Sequence, residues 1–90
     1  MIKKNITIIN KLGLHARASA KFVSTANKYV SSINVKKEGQ THINGKSIMA
    51  IMMLAASQGT ELSFTIEGPD EDEMAEALHL LINNRFDEPE

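Results

Sequence analysis

The stretch Glu61-Leu62-Ser63-Phe64-Thr65-Ile66-Glu67 constrains the fold more than any other part of the chain. Leu62, Phe64 and Ile66 alternate with Ser63 and Thr65, the two-residue period of a strand buried on one face only. Gly68-Pro69 stops it. Such a strand requires a sheet with one side packed on a core and the other in water, the habit of antiparallel sheets.

The remaining segments supply that cover. Ile2–Ile9 reads as a strand and Asn10–Leu14 as a loop. A helix is predicted from Ala16 to Tyr29, with Ser19, Phe22, Val23, Ala26 and Val30 on one face. A second strand over Ile33–Lys37 turns at Lys37-Glu38-Gly39 into a third over Gln40–Ile43, which Asn44-Gly45 breaks. A short helix spans Ser47–Leu54. Asp70 is placed to cap a last helix reaching Asn84, with Glu73 as capping-box partner and Met74, Ala77, Leu78, Leu81 and Ile82 buried. Phe86 is placed to pin its end, and the tail Asp87–Glu90 is expected to fray. The order βαββαβα predicts an α+β fold: an open-faced two-layer sandwich with three helices over one face of a four-stranded antiparallel sheet. Its 90 residues read as one domain spanning 1–90.

Composition removes several chemistries. There is no cysteine, so disulfides, thiol nucleophiles and Cys-ligated zinc are excluded. His42 and His79 lack metal-ligand spacing with His15, and the carboxylates at 70–73 lack a calcium-loop pattern, so no metal is expected. Ile48–Ala56 is the longest apolar run, too short to insert in a membrane, and no signal peptide is apparent, so a cytoplasmic location is expected. Gly45-Lys46-Ser47 resembles the end of a P-loop, but five residues separate Gly39 from Gly45 where four are needed. The charge is split: residues 1–46 hold nine Lys or Arg against one acid, and residues 47–90 hold ten acids against one base. A basic half could serve nucleic acid, but aromatics are 4% of the chain and a stacking platform is missing, so a small RNA-binding module is a remote alternative.

Gly13-Leu14-His15-Ala16-Arg17 carries the chemistry. His15 falls at the N-cap of the first helix, where unpaired N–H groups and the dipole favour an anion. Arg17 lies in the first turn, where a cation opposes the dipole unless a phosphate or carboxylate joins it. The positive helix end also disfavours imidazolium and leaves a neutral nucleophile. From the residues alone, a plain polar cap at His15 and a surface base at Arg17 account for the same pattern.

The motifs Gly13-Leu14-His15-Ala16-Arg17-Ala18-Ser19, Asn44-Gly45-Lys46-Ser47-Ile48-Met49 and Gly68-Pro69-Asp70-Glu71 resemble those of the HPr and NPr histidine phosphocarriers of the bacterial phosphoenolpyruvate phosphotransferase system, across essentially the whole chain. The resemblance implies strand order 1-4-2-3. It implies His15 as the acceptor, phosphorylated on Nδ1 by phospho-Enzyme I, and Arg17 as the phosphate stabiliser. It implies transfer onward to IIA domains in sugar uptake or regulation, by a monomeric carrier that needs no cofactor and is a substrate of phosphotransferases, not an enzyme. An NPr-type role in the nitrogen-related chain is the alternative. Ala18 stands where the family usually has Pro; helix and phosphoryl acceptance are expected to survive.

Ser47 fits an N-cap, and the resemblance adds regulatory phosphorylation by HPr kinase/phosphorylase as a second role. The helix after it is apolar nearly all round, so part of it must be exposed. Ala16, Ala20, Ile48, Met49 and Met52 are the residues expected to meet partners, with Ile51 and Leu54 in the core.

Overall fold

A computed structural model describes residues 1–88 of the protein. Its elements are β1 (Ile2–Thr7), α1 (Ala16–Ala26), β2 (Ser32–Lys37), β3 (Ile43–Asn44), α2 (Ile48–Met53), β4 (Glu61–Glu67) and α3 (Glu71–Asn83), followed by a short turn at Arg85–Asp87. The four strands form one antiparallel sheet in the order β1-β4-β2-β3. The strand with the clean alternation is thus internal. Leu62, Phe64 and Ile66 are fully buried, facing Ile6 of β1 and Ile33 and Val35 of β2 on the same side. The three helices pack on that face. Phe22 of α1 meets Phe64 edge to face, with centroids 5.7 Å apart, a geometry worth about 0.5–1.5 kcal/mol beyond area burial.

Several expectations need correction. The third strand is not Gln40–Ile43. Gln40 is still in the turn, its N–H donating to the Lys37 carbonyl, and the ladder holds only Val35 with Ile43 and Asn34 with Asn44. Asn44 therefore belongs to the strand. Gly45 extends the pairing through its N–H to the Ile33 carbonyl. A Cβ there would sit 2.8 Å from Ile33 Cγ2, so the crossing needs glycine. The first helix ends at Ala26 and tapers through tighter bonds from Lys28 and Tyr29, which leaves Val30 exposed instead of buried. On α3 it is Ala75 that joins Met74, Leu78 and Ile82 in the core, while Ala77 and Leu81 are half-buried.

Asp70 does not cap its own helix with its side chain. It accepts from the N–H groups of Val30 and Ser31 and from the Ser31 hydroxyl, tying the α1–β2 connection to the start of α3. Glu71, not Glu73, reaches back, accepting from the Gly68 N–H at 3.3 Å. The bonds from Ser31 and the two N–H groups outweigh burial and hold the Asp70 carboxyl below its ordinary value. The tail is not frayed over its described part: Glu88 bonds to Asn10 and faces His15, and the exposed Asp87 lies 3.9 Å from Lys21 Nζ, while Pro89 and Glu90 lie outside the described residues. No helix among the described residues is long and apolar enough to cross a membrane.

Candidate functional site

β1 hands the chain to a loop that is pinned on all sides. Asn10 is fully buried, and its side-chain amide donates to the Gly13 carbonyl at 2.9 Å. Leu14 N–H donates to the Ala56 carbonyl at 2.8 Å. Gly13 has φ +68°, and a Cβ there would lie 2.8 Å from Ser57 Cα. Only glycine takes this backbone so close to the segment at Ala56 and Ser57. The loop therefore delivers the next residue at a defined place and angle.

That residue is His15. It is the N-cap of α1, extended at φ −77° and ψ −177°, and its side chain does not cap the helix. Its carbonyl accepts the first helical bond from Ser19 N–H, and the buried Ser19 hydroxyl donates to the Leu14 carbonyl. The first turn carries no acidic residue. Arg17 is exposed, and among the described residues its guanidinium has no bonded partner. The positive end of α1 thus carries a histidine on its rim and an arginine in its first turn, an arrangement suited to receiving an anion.

His15 itself is partly covered. Its Nε2 lies 2.5 Å from Oε2 of Glu88, whose other oxygen accepts from Asn10 Nδ2 at 3.0 Å. Nδ1 has no partner among the described residues. Burial works against a charge on Glu88. Bonds from Asn10 and His15, with the charges of His15 and Arg17, outweigh it and hold its carboxyl below its ordinary value. The acidic half of the chain is therefore not wholly remote from the chemistry. Sequence reasoning missed Asn10 and Glu88; the only signal was Phe86, an apolar residue beyond the last helix, which is fully buried and turns the tail inward.

Ser47 is the N-cap of α2, its hydroxyl accepting from Ala50 N–H at 3.2 Å. α2 packs against α1. Ile51 and Leu54 are core, while Ala16, Ala20, Ile48, Met49 and Met52 are all exposed. Met53, not anticipated, is exposed as well, at 77%. Two lysines of the basic half are engaged: Lys46 Nζ donates to the Tyr29 carbonyl and Lys21 Nζ to the Phe86 carbonyl, each at 2.7 Å.

Pinned loop, helix N-terminus, histidine and arginine make up a small domain with a site suited to an anion. Comparison with known proteins makes the class specific. Residues 2–84 match the family described as PTS HPr component phosphorylation site. The chain is 59% identical over 85 residues to phosphocarrier protein HPr of Pseudomonas aeruginosa, covering 94% of each chain. It is 49% identical to that of Cupriavidus necator over the full length of both. The solved structure of HPr-C-His from Thermoanaerobacter tengcongensis superposes with a TM-score of 0.94 at 47% identity, covering 100% of both chains. The chain belongs to the HPr family, the phosphocarrier proteins of the phosphotransferase system.

Proposed function

We propose that this carrier accepts a phosphoryl group from phospho-Enzyme I on Nδ1 of His15 and passes it to IIA domains in sugar uptake or regulation, in the cytoplasm. The observation that carries this reading is the N-terminus of α1, with His15 on its rim and Arg17 making no hydrogen bond among the described residues. A phosphoryl group on His15 would bring about −1.5 to −2 charge, taking phosphorylated side chains as the guide. The first-turn N–H groups and Arg17 offer donors to it. Ala16, Ala20, Ile48, Met49, Met52 and the newly noted Met53 would form the docking surface, in keeping with their exposure on two packed helices.

Incubation with phosphoenolpyruvate and purified Enzyme I should place one acid-labile phosphate on the chain. His15→Ala should carry none; label persisting in that variant overturns the assignment. Ser47 is the proposed regulatory site. It is half-exposed, and a phosphate there would add charge beside the docking helix. An acid-stable phosphoprotein formed with an HPr kinase, absent in Ser47→Ala, is the expected result.

A further inference from the structure

The part of the site that the family assignment leaves unexplained is the tail. Arg85, Phe86 and Asp87 follow one another at φ +55°, +53° and +63°. None is glycine, and the left-handed region crowds the Cβ of an L-residue against its own backbone. Three such residues in a row persist only if the surroundings hold them. Here Phe86 is fully buried, its carbonyl accepts from Lys21 Nζ at 2.7 Å, and Asn84 Nδ2 donates to Asp87 Oδ1 at 2.6 Å. The turn reverses the chain after α3 and lays Glu88 across the loop that carries His15.

Glu88 is then fixed from both oxygens. Oε1 accepts from Asn10 Nδ2, and Oε2 faces His15 Nε2. Both Asn10 amide hydrogens are committed, one to the Gly13 carbonyl and one to Glu88. A carboxylate only accepts, so the ring nitrogen facing it must carry the proton. In the neutral ring the other nitrogen, Nδ1, then keeps its lone pair; it has no partner among the described residues.

We propose that Glu88, held by Asn10, is a positioning residue that keeps the His15 proton on Nε2 and presents Nδ1 as the attacking lone pair. The proposal rests on His15 being the phosphoryl acceptor. In the transfer, the Nδ1 lone pair forms the new N–P bond as the donor's bond to phosphorus breaks, the electron pair leaving with the donor. The Nε2 proton stays in place, and the positive charge that develops on the ring is met by the Glu88 carboxylate. The same contact favours onward transfer, because a ring that keeps its Nε2 proton departs from phosphorus as neutral imidazole. The carboxylate orients and charges the ring without touching the phosphoryl group, the part a buried aspartate takes behind a catalytic histidine.

The test is ¹⁵N NMR of the His15 ring in the free full-length protein, at a pH where the ring is neutral, alongside rates of labelling by phospho-Enzyme I. In the wild type Nε2 should give the protonated-type shift and Nδ1 the unprotonated one. Glu88→Ala should move the two ring shifts toward their average and slow labelling about tenfold, taking the lower range for losing the carboxylate behind a metal-bound histidine as the guide. Glu88→Gln keeps one oxygen to accept from Nε2–H but turns an N–H donor toward Asn10 Nδ2, so it should restore the ring shifts in part and leave the rate below that of the wild type. A proton found on Nδ1 in the wild type, or ring shifts and rates unchanged in Glu88→Ala, would overturn the role of Glu88. Label absent from His15 in the wild type would instead overturn the acceptor assignment, which the ring shifts do not depend on.

Discussion

Gly13 sets the position of His15. Its φ of +68° and the close approach to Ser57 leave no room for a Cβ. Gly13→Ala should therefore cost about 1–3 kcal/mol of stability, the range for forced backbone strain, read as a lower urea midpoint with unchanged slope. Arg17 is the opposite case, an exposed side chain that makes no hydrogen bond among the described residues and acts on Glu88 through its charge. Arg17→Ala should leave the circular dichroism spectrum and urea midpoint unaltered. It should slow phosphoryl transfer roughly 10- to 100-fold, the kinetic equivalent of losing a charged hydrogen bond of about 1.5–3 kcal/mol. A loss of helical content in that variant would contradict the placement. Ala18 is fully buried in the first turn of α1, where alanine is a good helix former.

Among the elements, α3 is fastened by contacts from outside itself. Its N-cap residue Asp70 spends its carboxylate on Val30 and Ser31, across the α1–β2 connection. Its folded-state pKa is lowered from 3.8, so the unfolded state binds the proton more readily. The stability from this contact is fully present well above pH 3.8 and is lost as pH falls below 3.8 through the folded-state value. Asp70→Asn should be less stable near neutrality and should lose less on acidification, compared by urea unfolding at pH 6 and at progressively lower pH. A wild type and variant with parallel pH curves would contradict this. For α2, Ser47→Ala removes the acceptor for Ala50 N–H and should cost about 1 kcal/mol. The capping role and the proposed regulatory role are therefore separable: the first appears in stability, the second in phosphorylation.

Over the whole molecule, the uneven charge along the chain should steer association. Several bases of the first half remain exposed, among them Lys3, Lys4, Arg17 and Lys28. Transfer rates from an acidic partner should then fall as salt is raised, since attraction between exposed charges is screened within about 10 Å at 0.1 M. A rate indifferent to salt would leave the charge split without a role in docking. The acidic half contributes more than a solvated face, because its Glu88 returns to the basic site.

The elements, their order and the histidine motif were legible in the sequence, because each rests on near neighbours. The alternation at 61–67, the glycine before His15 and the helical spacing of Phe22, Val23 and Ala26 are local patterns with local causes. The length of β3, the use of Asp70 and the burial of Ala75 were not legible, since each depends on what lies opposite in space. The site divides in the same way. Sequence alone determined that a histidine and an arginine stand at the start of a helix. Tertiary structure alone decided that Asn10 and Glu88, 78 positions apart, meet beside that histidine. No periodicity links such distant residues; only the burial of Phe86 and the packing of α3 on the sheet bring the tail back to the loop.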